Sequence, residues 1–397
     1  MTAIKKTALV FCDDQFGQVD GKTAAGLLRK SETYLIVGVI DRAMGGEDSG
    51  DVLQNQCNGI PIFADLENAL AALIEVPECY IYGKAPLETT ISERERGLVI
   101  QAMSNGMDIV TGLHQFFSDD EEFISAANKY DCELLDIRKP PAPEKLHVYS
   151  GKVDSVDVPI VAVLGTDCAC GKMTTAVELD SALRRMGINS VLIATGQTCL
   201  MQGAKYGISI DALVSQFVVG EVEHAVLEAC RVESPDIVLV EGQSSVTHPA
   251  FMGSISILKG SRPGGVILQH PPARKLRCDF PDLAMPTVSE EIMAIENIAS
   301  TKVLALALSH EGVSLDEMPT LIRDFEVSHN IPTTDVLTDG CNKLIAALFG
   351  AFPQLSQSSA IDPAIASPPD ESWSRDLTTP AYRNIAVNHS DKLQTPL

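Results

Sequence analysis

The chain has 397 residues, 45% of them hydrophobic and 21% charged, and a formal net charge of −23. That length fills two domains of ordinary size, and the acidic excess argues against nonspecific binding to nucleic acid or to an anionic membrane surface. No run of about 18 apolar residues occurs, so no membrane span is expected; the early Asp13-Asp14 pair makes the N-terminus a first strand rather than a signal peptide.

In chain order, residues 7–12 read as a strand and 21–30 as a helix. Strands at 34–40, 58–63, 79–82, 107–111 and 133–137 alternate with helices at 66–74, 92–104 and 119–130. Such alternation predicts a parallel, doubly wound sheet, Rossmann-like in pattern, over residues 1–140. No G-x-G-x-x-G turn follows the first strand. A dinucleotide site is therefore not expected, although Asp41 ends the second strand where a ribose-binding acid often lies. The stretch from Gly17 to Lys22-Thr23 is one residue short of a phosphate loop and reads as a helix start with a solvated lysine. Thr111-Gly112-Leu113-His114 follows a strand, where ligand-facing residues gather, so His114 is a candidate substrate contact. Lys139-Pro140-Pro141-Ala142-Pro143 can continue neither a helix nor a central strand, and residues 141–158 form a linker.

The second domain, 159–350, opens with the apolar run Val161-Ala162-Val163-Leu164, then Gly165-Thr166-Asp167-Cys168-Ala169-Cys170-Gly171-Lys172, then a helical pattern from Thr175 to about Met186. Strand, Gly-Lys turn and helix are the parts of a phosphate-binding loop, in which backbone N–H groups and a helix N-terminus surround phosphate and the lysine adds charge. Against G-x-x-x-x-G-K-[ST], Thr166 stands where the first glycine belongs and Met173 where the Mg²⁺-binding hydroxyl belongs. Gly165, Thr166, Asp167, Gly171, Lys172, Met173, Thr174 and Thr175 are the candidate cofactor-binding residues. Further strands are expected at 190–194, 236–240, 265–269, 302–308 and 334–336. The helices fall at 212–217, 221–230, 289–300, 315–329 and 341–349, while 256–258 is ambiguous. From 351 the composition turns to Ser, Pro, Asp and Thr and predicts a mobile tail. The fold class is thus α/β, two doubly wound parallel-sheet domains, Rossmann-like then P-loop NTPase-like, with a flexible C-terminal tail.

Ten cysteines occur without CxxC spacing, mostly in apolar runs, which suits reduced thiols and a cytoplasmic location. Cys168-Ala169-Cys170 lacks nearby ligand partners and reads as small loop filler, so no metal is expected. In a parallel sheet the residues after the strands' carboxyl ends gather on one edge. Here they are 166–174, 195–198, 241–245, 270–274 and 309–310, all polar, small or ionisable. Glu241 ends an apolar strand as a Walker-B acid would, for Mg²⁺ or as a general base, and His248 can take a proton near neutral pH. Gln243, Ser244 and Ser245 can orient a carbonyl or carboxylate. Arg274 and Arg277 suit carboxylate or phosphate recognition.

Gly165-Thr166-Asp167-Cys168 through Gly171-Lys172-Met173-Thr174-Thr175-Ala176 resembles the GTDCxxGKMxTA loop of the D-glutamate N-acetyltransferase family of DgcN type. Ala194-Thr195-Gly196-Gln197-Thr198 is similar to its ATGQT turn. Glu241-Gly242-Gln243-Ser244-Ser245 with His248-Pro249-Ala250-Phe251 resembles its EGQgSxxHPxF segment, and Thr111 to His114 its SGLH turn. The likeness covers about 7–345 and shares both loop departures; the phosphate-loop domain also resembles dethiobiotin synthetase-like proteins. The resemblance implies acetyl transfer from acetyl-CoA to the amine of D-glutamate or a similar D-amino acid, and a homo-oligomer. On that reading the Gly171-Lys172 loop binds CoA phosphates without Mg²⁺, Glu241 or His248 is the base, and Gln243 steadies the oxyanion. Thr195, Gln197, Ser244, Ser245, Arg274, Arg277 and His114 contact the small-molecule substrate. The alternatives are a Mg-ATP-dependent small-molecule kinase or ligase of the dethiobiotin synthetase kind, and a nucleotide- or CoA-binding regulatory protein without turnover.

Overall fold

The structure, a computed structural model, describes residues 4–86 and 90–358. The tail expected from 351 lies outside these residues beyond 358; before that, Leu355–Ser358 is a short helix with Leu355 buried.

Six strands, β1 (Lys6–Phe11), β2 (Tyr34–Ile40), β3 (Ile62–Phe63), β4 (Cys79–Tyr82), β5 (Asp108–Thr111) and β6 (Leu134–Asp136), form an all-parallel sheet in the order 3-2-1-4-5-6. This is the Rossmann order. Asp41, at the end of β2, is engaged inside the protein: its carboxylate accepts from the amides of Phe16 (3.0 Å), Ala43 (2.8 Å) and Met44 (3.2 Å).

The second sheet holds β7 (Ile160–Gly165), β8 (Ser190–Ala194), β9 (Tyr206–Gly207), β10 (Ile237–Glu241), β11 (Gly265–His270), β12 (Val303–Leu308) and β13 (Thr333–Thr334). It is also all parallel, in the order 13-12-11-7-10-8-9. All six residues of β7 are buried, as a strand covered on both faces requires. Side chains alternate: Ala162 and Leu164 join the core under helices Ser215–Glu233 and Gly253–Ser261, and Val161 and Val163 the one under Lys172–Arg185 and Asn342–Ala351. The chain leaves β7 toward β8 on one side and β11 lies on the other, so the crevice of this sheet opens beyond the end of β7.

Among the elements that differ from the sequence reading, two bear on the site. The helices expected at 212–217 and 221–230 are one helix, Ser215–Glu233. Gly220, which looks like a break, is where the linker crosses: a Cβ there would lie 2.2 Å from the His147 carbonyl oxygen. The stretch read as a polar turn after β8 begins a buried helix, Gln197–Gln202. That helix packs on Lys22–Arg29 of the first domain. Thr198 Oγ1 lies 2.9 Å from Thr23 Oγ1, and Gln202 Nε2 donates to the Gly26 and Lys30 carbonyls at 2.8 and 2.9 Å. Met201 enters the first domain's core beside Val10 and Val110. The pseudo-phosphate loop around Lys22-Thr23 is therefore domain interface. Among the described residues no helix is long and apolar enough to cross a membrane.

Gly26 is a tight point of this contact, since a Cβ there would stand 2.7 Å from Thr198 Cγ2 and 3.0 Å from Met173 Cε. Gly26→Val should therefore cost about 1–3 kcal/mol in urea unfolding, by overpacking. Gly97→Ala, at a helical position with nothing within 4 Å, should instead stabilise by about 0.5–1 kcal/mol.

Candidate active site

The loop between β7 and helix Lys172–Arg185 has the geometry of an anion cradle. Gly171 adopts φ +108°, and the helix that follows has no side-chain cap, which leaves its first N–H groups for a ligand. Lys172 is buried and its Nζ donates to the Asp167 carbonyl within the loop. Gly165 lies against the lysine stem, where a Cβ would meet Lys172 Cδ at 2.8 Å. Thr175 Oγ1 donates to Gln269 Oε1 at 2.5 Å, and Thr174 is half-buried beside it.

Both departures from the usual phosphate loop have local reasons. Thr166 Oγ1 pairs with His270 Nδ1 at 2.9 Å and its amide with the Gln269 carbonyl at 3.0 Å, which ties the loop to the end of β11. Burial pushes His270 down to about 4, so it is neutral. Met173, in the place of the metal-binding hydroxyl, reaches the domain interface at Gly26.

Asp167 is fully buried and organises the far side. Its carboxylate accepts from Arg274 and from the Cys278 amide, both at 2.9 Å, and lies 3.5 Å from Arg277. Burial raises its pKa, but the Cys278 amide and Arg274 outweigh this and hold it below the ordinary carboxylate value. Arg274 also donates to the Cys168 carbonyl at 2.7 Å and pairs with the half-exposed Glu311. Arg277 reaches Ser245 Oγ at 3.1 Å and Thr247 Oγ1 at 3.2 Å. Both candidate substrate-binding arginines thus already hold the protein's own carboxylates and loops.

Glu241 is buried across the crevice, its Oε2 accepting from the amides of Thr195 (2.8 Å) and Gly196 (3.0 Å). Burial raises its pKa to about 7 despite those two bonds. Gln243 Nε2 lies 3.3 Å from Thr195 Oγ1. Gln197 is buried against the Gly112 backbone, so the turn that carries His114 meets the second domain here, with His114 itself exposed. His248 is buried and stacks on Phe251 with ring centroids 4.6 Å apart. Its Nδ1 accepts from the Ala250 amide at 3.2 Å, which puts the neutral ring's proton on Nε2. That Nε2 is buried without a hydrogen-bond partner, 3.9 Å from Asp167 Oδ1. Burial, then the charge of Arg277, lower the His248 pKa, so it stands as a neutral N–H donor. Two non-glycine residues of the site have left-handed backbones, Ala169 at φ +45° and Ser244 at φ +56°.

Four side chains here went unread in the sequence. Gln269 and Cys278 meet the phosphate loop from β11 and the segment after it. Phe280 lies 5.5 Å from the His248 ring. The fully buried Glu291 accepts from the Val246 amide (2.5 Å) and Thr247 Oγ1 (2.6 Å) and braces the loop after β10. Only Gln269 carried a signal, a polar residue closing an apolar strand. Asp167, Cys168 and His248 bring ligand atoms within 4.8 Å of one another, as a metal would need. The same Asp167 carboxylate faces two guanidinium groups, so the field there favours anions over cations.

The Glu241 carboxyl has a pH signature. A folded pKa raised from 4.5 to about 7 gives stability that is complete below 4.5 and lost as pH rises through 7. Relative to Glu241→Gln, the wild type should lose about 3 kcal/mol between pH 4.5 and 7, read by urea unfolding at a series of pH values. A pH-independent difference would contradict the buried, raised carboxyl.

A P-loop domain of unknown function, DUF1611_C, matches residues 147–345, and a Rossmann-like domain of unknown function, DUF1611_N, matches 42–140. The chain is similar to a protein of Pseudoalteromonas named D-glutamate N-acetyltransferase, 28% identical over 280 residues, 68% of this chain and 80% of that one. A protein of the same name from Tritonibacter scottomollicae is 26% identical over 284 residues, with the same coverage. The crystal structure of a DUF1611 family protein from Anabaena variabilis superposes with a TM-score of 0.80 at 28% identity, covering 87% of this chain and all of that one. With both halves matched and the same two-sheet architecture, the chain belongs to the DUF1611 family.

Proposed function

We propose that this protein is an N-acetyltransferase that moves acetyl from acetyl-CoA to the amine of D-glutamate or a similar D-amino acid. The observation that carries the reading is Glu241, a buried carboxyl raised to about 7 beside a phosphate loop whose metal-hydroxyl position is taken by Met173. The names of the two curated relatives support it. An amine must lose a proton before it attacks a thioester, and a base poised near neutral pH suits that task. The loop amides and Lys172 would receive the CoA phosphates, which need no metal hydroxyl. Neutral His248 and the amide of Gln243 would donate to the oxyanion. Arg274, on exchanging the half-exposed Glu311, would receive an acceptor carboxylate.

The kinase or ligase reading is disfavoured by two residues. Met173 offers no oxygen ligand for Mg²⁺, and the Glu241 carboxylate is held by the Thr195 and Gly196 amides. The regulatory reading predicts tight binding of CoA with no product.

Melting of the purified protein with acetyl-CoA, CoA and ATP, each with and without Mg²⁺, tests this. Acetyl-CoA and CoA at about a hundredfold excess over Kd should stabilise by about 2.7 kcal/mol, independently of Mg²⁺, and Lys172→Ala should abolish the effect. D-glutamate should then release free CoA, and Glu241→Gln should lower kcat about 10²–10⁴-fold. Stabilisation only by Mg-ATP would overturn the proposal.

A further inference from the structure

Resting on the acetyltransferase reading, we infer that Cys168 is a nucleophile that carries the acetyl group as an enzyme-bound thioester between donor and acceptor. Cys168 sits in the phosphate loop, partly exposed, four residues before Lys172. Its sulfur lies within 4.8 Å of a ring nitrogen of His248 and of an Asp167 carboxylate oxygen. His248 Nε2 is the unpartnered buried donor described above, and an oxyanion developing on a carbon bonded to Cys168 would give it an acceptor. Cys278 completes the group, held by its amide to Asp167 and with its Sγ 3.5 Å from the Cys168 carbonyl oxygen.

The surroundings suit a thiolate at Cys168. The Cys278 thiol, then the Lys172 charge and the Ser244 hydroxyl, outweigh burial and lower its pKa, while the pKa of Cys278 is raised by its partner. Of the two thiols, Cys168 is thus the one that ionises more readily. Reactive cysteines are found in such electropositive, accessible settings, and inert ones in apolar cores. The arginines that discourage a cation beside Asp167 leave this field in place.

The steps balance. The Cys168 thiolate attacks the acetyl carbonyl carbon, with His248 Nε2–H donating to the oxyanion. The bond from that carbon to the CoA sulfur breaks, and the departing thiolate takes the Cys278 proton. The acceptor amine, freed of its first proton by Glu241, which releases that proton to solvent at the end of the cycle, attacks the Cys168 thioester. The amine's second proton passes to the Cys278 thiolate, and the carbon–sulfur bond breaks to restore the Cys168 thiolate. No oxidant or reductant enters.

The full-length protein, incubated with acetyl-CoA and no amine, should gain the mass of one acetyl group and release one CoA per chain in a burst. Peptide mapping should place a hydroxylamine-labile adduct on Cys168. Cys168→Ala and Cys168→Ser should both lose the adduct, with kcat/KM falling at least about a hundredfold. Cys57→Ser, at an exposed cysteine elsewhere, should keep it. Kinetics with acceptor should give parallel double-reciprocal lines. A wild type that turns over acetyl-CoA and D-glutamate with no adduct, and a Cys168→Ala variant of unchanged rate, would overturn the thioester and leave the acetyltransferase standing. A wild type without turnover or adduct would remove both. A tightly bound zinc ion lost in Cys168→Ala, with no adduct, would also overturn the thioester by assigning the sulfur to a metal.

Discussion

A carboxylate with no solvent exposure holds together the rim of loops at the carboxyl edge of the second sheet. Alone, the buried charge of Asp167 would cost several kcal/mol, so its partners are obligatory rather than ornamental. They come from one short segment after β11, through Arg274, Arg277 and the Cys278 amide. Drawn down to Asp167, that segment closes over the phosphate loop. Arg277 then continues to Ser245 and Thr247, and so ties in the loop after β10. Three loops from three strands become one rigid rim, and the close approach of Cys278 to Cys168 follows from it.

The two sheets have unequal tasks. Both carry the topology of nucleotide-binding folds, yet the first has consumed its ribose-type acid, Asp41, in its own turn. It serves as a platform. Its helix Lys22–Arg29 supports Gln197–Gln202 and meets Met173 at Gly26, so the first turn of the phosphate helix rests on another domain. A methionine at that position is awkward for metal chemistry and well suited to filling an interdomain contact.

The fold was legible in the sequence because buried parallel strands are short, apolar and separated by helices of recognisable period. β2, β4 and β8 fall where residues 34–40, 79–82 and 190–194 were read. The misreadings arose where long-range contact overrode local preference. Gly220 breaks no helix because the linker needs its missing side chain, and Gln197–Gln202 is a helix because its polar residues find partners in the other domain. In the site, the loops after β7, β8 and β10 were visible as polar runs ending apolar strands. Their wiring was not. Nothing local distinguishes an arginine that awaits a substrate from one that neutralises Asp167, and Glu291 looks like an ordinary acid in the first turn of a helix.

Ala169 and Ser244 flank Cys168 from two loops, and each holds an L-residue in a backbone conformation it would leave if released. Such strain, of order 1–3 kcal/mol per residue, persists only while the surroundings over-determine it. The rim is thus a loaded frame, with the Asp167 pairs and the Glu291 brace as its latches. Opening a latch would let the rim relax by itself while both sheets keep their cores. Strain held at these two residues ties the shape of the rim to its ion pairs, apart from the apolar cores that hold the two sheets.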